Sequence, residues 1–244
     1  MLAIKTDNLR KEYKDVVAVD NLSLEIDEGE LFALLGVNGA GKTTTIKMLS
    51  TLTSPTSGEA YILGHSVLKE PDKIKELIDI SMQETAVARK LTVAENIEFY
   101  ARLSGQNKDE IKVTKEYIYN TFDLNQVAKK AAAKLSGGWQ RKLSIALALV
   151  TNPKILFLDE PTLGLDVLAR RELWKTIESL KGKMTIILTT HYMEEAEALS
   201  DRIGVMKDGR MLFVGTKEEL YDRTGKSNVE DAFVEIVAGG EQDA

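Results

Sequence analysis

The stretch LFALLGVNGAGKTTT, residues 31–45, sets five apolar residues directly before a loop of three glycines, a lysine and three threonines. An apolar run without alternation predicts a strand buried on both faces of a parallel sheet. The residues from Lys42 onward read as a helix. Gly36, Val37, Asn38, Gly39, Ala40, Gly41, Lys42 and Thr43 fit the phosphate-loop pattern, in which two glycines flank four residues and Lys-Thr follows. Glycines allow positive φ and let backbone N–H groups converge on phosphate oxygens, and the helix start adds its positive dipole end. Lys42 supplies a mobile charge for the outer phosphates, the Thr43 hydroxyl a hard ligand for Mg²⁺, and the Thr44 hydroxyl a donor to an inner phosphate. From average residue usage, a chance match in a chain of this length is on the order of 1%.

A second apolar run, residues 155–158, ends in Asp159-Glu160. Strand ends of open parallel sheets are where ligands bind. Such a pair alone is more often a turn or a helix cap. Beside a phosphate loop it suits a Mg²⁺–nucleotide site, which needs one carboxylate in the metal's shell and another group on the attacking water. Asp159 is assigned to the metal, through water, and Glu160 to the water as general base.

Composition limits the alternatives. The 244 residues carry 38 acidic and 32 basic side chains, so no global field draws the chain onto nucleic acid or an anionic surface. With no cysteine, disulfides and thiolate chemistry are excluded, and two histidines are a meagre supply of imidazole ligands. The charged start argues against a secretory signal, and no run approaches the ~20 apolar residues that span a bilayer. A membrane role is therefore expected to come through a partner.

Along the chain, alternating residues 3–6, 16–19 and 22–26 predict antiparallel strands exposed on one face, whereas residues 184–188 repeat the doubly buried pattern. Between residues 84 and 150 the period becomes helical. Thr92 and Glu95 have capping-box spacing ahead of Val93, Ile97, Tyr100 and Ala101 on one face. Further helices are expected over residues 108–122, from near Gly138 with Leu143, Leu147 and Val150 on one stripe, and over 193–199. A hairpin is expected at 203–214. These patterns predict a single α/β domain: a P-loop NTPase with a mainly parallel core sheet, an N-terminal antiparallel β region and an inserted helical subdomain. The core would comprise about 1–83 and 151–220, the helical subdomain about 84–150, and a C-terminal helix with a mobile tail, ending GGEQDA, about 221–244.

The order of motifs narrows the reading. The glycine loop is followed by Gln83 after a strand, Ser136-Gly137-Gly138 at a helix start, Asp159-Glu160, Leu163-Gly164-Leu165-Asp166, and a strand ending near His191. This order resembles the ATP-binding cassette of ABC transporters over residues 3–220. The resemblance implies an ATPase using ATP and Mg²⁺ as a head-to-tail homodimer, in which Ser136, Gly137 and Gly138 of one copy contact the terminal phosphate held by the other's loop. It also implies that Tyr13 stacks on adenine, Gln83 touches Mg²⁺ and water, Asp166 lies at the dimer contact, and His191 bonds the γ-phosphate. Singly, Tyr13 reads as a strand-edge aromatic, Gln83 and Asp166 as loop residues, and His191 as a helix cap.

Two positions depart from the family pattern: Trp139 stands where glutamine is common, and Leu163 where a small serine is common. Residues 201–220 and LSGGWQRKLSIALALV look closest to cassettes that serve separate permease subunits in drug, antibiotic or lipid export. The resemblance then implies a peripheral position on the cytoplasmic face of the cell membrane, held by that permease, with no nucleic-acid partner. The rivals are a soluble cassette acting on ribosomes or DNA, and a phosphate-loop kinase or GTPase.

Overall fold

The computed structural model describes residues 1–239. Two long strands open the chain, β1 (Leu2–Tyr13) and β2 (Val16–Asp27), followed by β3 (Leu31–Leu35), helix α1 (Lys42–Leu49), β4 (Ser57–Ile62), β5 (His65–Ser66), α2 (Pro71–Leu77) and β6 (Ile78–Ser81). Helices α3 (Val93–Leu103), α4 (Lys108–Phe122) and α5 (Gly137–Ala148) then intervene before β7 (Ile155–Asp159). After them come α6 (Val167–Glu178), β8 (Thr185–Thr190), α7 (Met193–Leu199), β9 (Arg202–Lys207), β10 (Arg210–Gly215), α8 (Lys217–Thr224) and α9 (Val229–Gly239).

The two strand types of the sequence form two sheets. The alternating strands make an antiparallel sheet in the order β2-β1-β4-β5, and the doubly buried ones a six-stranded sheet in the order β10-β9-β3-β8-β7-β6. In the second sheet β9, β3, β8, β7 and β6 run parallel, and β10 closes the edge as an antiparallel hairpin with β9. The register pairs Leu35 with Thr190, Asp159 with Thr189, and Ser81 with Leu158. The carboxyl ends of four neighbouring strands therefore lie together, and the loops that leave them share one edge.

Inside the fully buried strands the period of two persists as a choice of core. Leu31, Leu156, Leu158, Ile186 and Leu188 join the hydrophobic cluster that includes α3–α6. The intervening Phe32, Leu34, Ile155, Phe157 and Ile187 join the cluster shared with the antiparallel sheet and α1. A third cluster lies beneath α7, α8 and α9. The parallel sheet is thus covered on both faces, which is what its near-continuous apolar strands require.

The capping box is present at α3: the Glu95 N–H donates to Thr92 Oγ1 at 3.2 Å, and the Thr92 N–H donates to Glu95 Oε2 at 2.7 Å. Helix α5 starts at Gly137, one residue ahead of the expected position. Residues 16–19 and 22–26, expected as separate strands, are one strand. Leu9 pairs with Leu22 and Lys11 with Val19, so three steps of β2 span two of β1, and Asn21 absorbs the extra residue at φ 53°. Asparagine tolerates this left-handed conformation, so the polar pair Asp20-Asn21 marks a bulge and not a turn. Helix α6 went unread in the sequence; it is capped by Asp166, whose carboxylate accepts from the N–H groups of Leu168 and Ala169.

Gly239 closes α9, and residues 240–244 of the expected mobile tail lie outside the described residues. No helix among the described residues is long and apolar enough to cross a membrane. Phe157, fully buried on β7, joins the two sheets in one core. Phe157→Ala is expected to lower the stability measured by urea unfolding by about 3–5 kcal/mol, and a change under about 1 kcal/mol would deny it that role.

Candidate functional site

The loop Gly36–Gly41 joins β3 to α1, and two of its glycines are required by geometry. Gly41 holds φ at 106°, and a Cβ there would strike the Ala18 carbonyl; one on Gly36 would lie 2.5 Å from the Met206 carbonyl oxygen. These constraints turn the backbone over β2 and β9 before α1 begins. The Lys42 side chain, 5% exposed, folds back and donates from Nζ to the Gly36 and Val37 carbonyls at 2.7 and 3.2 Å. Burial lowers its pKa, while the carboxylates of Glu160 and Asp159 oppose that shift.

Across the loop, Asp159 at the end of β7 is 1% exposed and accepts from Thr43 Oγ1 at 3.1 and 3.2 Å and from Thr189 Oγ1 at 2.5 Å. The next residue, Glu160, leaves the strand at φ 47°, with its N–H donating to the Thr189 carbonyl at 3.0 Å. A bulky residue in that conformation is uncommon and is held only by surrounding structure. The turn aims the Glu160 carboxylate between two nitrogens: Lys42 Nζ at 3.8 Å and His191 Nδ1 at 3.2 Å. Two of the side chains assigned from the sequence thus flank the assigned base.

A cavity of ≈ 670 Å³ opens here, lined on one side by Val16, Val17 and Ala18, along its floor by Asn38–Thr44, and on the other side by Gln83, Glu160, Leu163 and His191. It accommodates a nucleotide, and its lining brings together the loop, Gln83, Glu160 and His191. The hydroxyl of Thr43, which lines the cavity, against the buried carboxylate of Asp159 just beneath it pairs two hard oxygen donors, a set that fits Mg²⁺ shared with phosphate oxygens.

The remaining expected residues do not line this cavity. Tyr13, 45% exposed, lies at the end of β1 paired with Val16, and its ring takes the Lys11 ammonium at 4.9 Å. Ser136, Gly137 and Gly138 form the start of α5 and are not part of the lining, and a Cβ built on Gly137 would meet nothing within 4 Å. Asp166 caps α6. Of the two departures, Leu163 lines the cavity, and Trp139 carries the Lys142 ammonium over its ring at 4.8 Å.

Arg141 was not recognised in the sequence. Its guanidinium, buried under α5, donates to five carbonyls: Nε to Pro161 at 2.6 Å, Nη1 to Met82 and Gln83 at 2.7 and 2.9 Å, and Nη2 to Asp159 and Glu160 at 2.9 and 2.6 Å. Burial lowers its pKa to about 10, opposed by Asp159, Glu195 and Glu160, so it remains charged at neutral pH. The available signal was an arginine in the buried body of a helix, where a cation needs partners.

A phosphate loop on a parallel strand, facing a carboxylate pair at the end of a second strand of the same sheet, defines a P-loop nucleoside triphosphatase. Residues 19–163 match the family model described as ABC transporter. The chain belongs to the ABC transporter family, as its ATP-binding, ATP-hydrolysing cassette. It is 38% identical to the daunorubicin resistance ATP-binding protein DrrA3 of Streptomyces coeruleorubidus, over 93% of this chain and 72% of that protein. It is 44% identical to ATP-binding cassette sub-family A member 2 of Homo sapiens, over 91% of this chain and 9% of that much longer protein. Among solved structures it superimposes on an ATP-binding subunit of an ABC transporter with a TM-score of 0.85 at 27% identity, covering 96% of this chain and 99% of that one. It also superimposes on a dimeric ATP-binding cassette in a post-hydrolysis state bound to ADP and Pi, with a TM-score of 0.78 at 27% identity, covering 87% and 98%.

Removing Arg141 leaves the carbonyls at the ends of β6 and β7 without their donor. Arg141→Ala is expected to cost about 3–5 kcal/mol in urea unfolding, and Arg141→Lys, which lacks the planar fork, is expected to recover little of it. An unchanged unfolding midpoint would show that the carbonyls find other partners.

Proposed function

We propose that this chain is the ATP-hydrolysing subunit of an exporter, working as a homodimer with Mg²⁺–ATP and driving a separate permease from the cytoplasmic face of the membrane. The observation that carries this reading is the division of the phosphate-seeking groups. The loop, Glu160 and His191 share one cavity, while Ser136–Gly138, a second helix start suited to an anion, are no part of its lining. A second copy supplies what each cavity lacks.

In this reading the Lys42 ammonium exchanges its loop carbonyls for the β- and γ-phosphates, and the loop N–H groups hold the remaining oxygens. Tyr13, at the rim beside Val16, turns its ring to the adenine, and Thr44 donates to an inner phosphate. Mg²⁺ would be held by Thr43 and, through water, by Asp159, with Gln83 as a further contact, and would supply Lewis-acid relief of phosphate charge. Glu160 accepts the proton of the attacking water as the water oxygen bonds to the γ-phosphorus and the bond to the ADP oxygen breaks. His191 holds the γ-phosphate and stands beside the carboxylate that takes the proton. Asp166 meets the partner copy at the dimer contact.

Binding energy for ATP across two half-sites favours the closed dimer, and loss of the γ-phosphate removes the ligand of Ser136–Gly138 and releases it. Export of a drug or lipid is supported by the likeness to a daunorubicin resistance protein and to a sub-family A cassette. Those relatives are named as resistance and cassette proteins, and nothing in them favours action on ribosomes or DNA.

Glu160→Gln keeps the size and hydrogen-bonding shape of the side chain but removes its basicity. It is expected to retain ATP affinity in calorimetry and to lose roughly 10²–10⁴-fold in phosphate release. Near-normal release would remove Glu160 as the base.

A further inference from the structure

Beyond the cavity, a second polar cluster lies behind His191. The His191 and Tyr192 rings stack with centroids 4.2 Å apart and planes inclined by 39°. The Arg170 guanidinium, from α6, lies over the Tyr192 ring at 5.3 Å and over the Trp174 ring at 5.5 Å. Trp174 in turn donates from Nε1 to Glu195 Oε1 at 2.9 Å, and Glu195 is fully buried. A continuous line of contacts thus runs from Glu160 through His191 and Tyr192 to Arg170, Trp174 and Glu195.

This line is unusual in what it leaves unpaired. Among the described residues, Arg170 Nε and His191 Nδ1 are buried side-chain polar atoms without a hydrogen-bond partner, and both lie on this line. His191 Nδ1 stands 3.2 Å from Glu160 Oε2 without the alignment of a hydrogen bond. The charges facing Arg170 are Glu194, whose Oε2 accepts from Nη2 at 3.4 Å, and Glu195. Burial raises the Glu195 pKa, opposed by hydrogen bonds from Thr190, Thr162 and Trp174 and, after them, by the charge of Arg170. Unpaired buried polar atoms are uncommon in folded proteins, and two of them on one line of contacts call for an explanation.

We propose that Arg170 is a positioning residue: held between the Tyr192 and Trp174 rings, it sets the orientation of His191 and couples that ring to α6. The proposal rests on the reading of His191 as the γ-phosphate contact. Its geometry follows from attraction of a cation to two aromatic faces, which holds the guanidinium beside its one long hydrogen bond to Glu194. A turn of the His191 ring onto a phosphate shifts Tyr192, and Arg170 carries that shift to Trp174, two helical turns from the Asp166 cap. The state of the terminal phosphate is thereby passed to the helix that begins at the proposed dimer contact.

The sequence contains two tryptophans, Trp139 and Trp174, so Trp139→Phe leaves Trp174 as the sole indole. Trp174 does not line the cavity. In that background, Mg²⁺ with a non-hydrolysable ATP analogue is expected to shift Trp174 emission, Mg²⁺–ADP to leave it unchanged, and His191→Ala or Arg170→Ala to abolish the shift. Nucleotide binding is followed in parallel by calorimetry. Bound analogue with unchanged emission, or a shift that survives His191→Ala, overturns the coupling while leaving the ATPase reading intact; absence of nucleotide binding overturns both. In steady-state kinetics Arg170→Ala is expected to lower kcat roughly 10–10²-fold with little change in KM. Tyr192→Leu should behave likewise, whereas Tyr192→Phe, which keeps the ring, should stay near the parent. Full kcat in Arg170→Ala would also overturn the proposal, and the nucleotide-free Trp174 emission shows whether each variant is folded.

Discussion

The arrangement depends on one buried guanidinium. Arg141 carries the charge of α5 into the base of the site and satisfies backbone carbonyls from two strand ends at once: Met82 and Gln83 after β6, and Asp159, Glu160 and Pro161 at the end of β7. Apart from the Glu160 carbonyl, which also accepts from the Leu163 N–H at 3.2 Å, these carbonyls depend on the guanidinium to avoid the cost of an unmet hydrogen bond. The helix that presents Ser136–Gly138, the loop that carries Gln83 and the turn that aims Glu160 are therefore one mechanical unit. A displacement of any one acts on the other two, whether it begins at a phosphate or at a partner protein.

Around that unit, two further constraints set the chemistry. The buried Asp159 is shared between hydroxyls of Thr43 and Thr189, which ties α1 and β8 to β7. Glu160 is then forced out of the strand in a left-handed conformation. The strain is stored where the carboxylate must reach both Lys42 and His191, a placement an extended residue would not give.

Local pattern made much of this legible. The glycine spacing and the preceding apolar run located the loop, the run before Asp159-Glu160 located the opposing strand end, and the Thr92–Glu95 box located α3. What went unread depends on contacts between distant segments. Arg141 looks like an ordinary helix cation until the carbonyls of residues 82, 83 and 159–161 surround it. Arg170, Trp174 and Tyr192 lie on two elements brought together only by the parallel sheet, whereas α6 itself, amphipathic and headed by the capping Asp166, was legible and simply went unread. Asn21 read as a turn because a bulge and a turn ask for the same residue types, and only the partner strand decides between them.

The proposed homodimer accounts for the division of phosphate-seeking groups between the cavity and a helix start that does not line it. Gly137 gives a clean probe, since a side chain there meets open space within its own chain and an acidic residue suits a helix's first turn. Light scattering should therefore compare Glu160→Gln with the same chain carrying Gly137→Asp, each with ATP and with ADP. The account predicts a doubled mass for Glu160→Gln with ATP alone, lost when a carboxylate at position 137 confronts the partner's phosphates. A single-copy mass throughout, or an ATP-dependent dimer indifferent to Gly137→Asp, would contradict it.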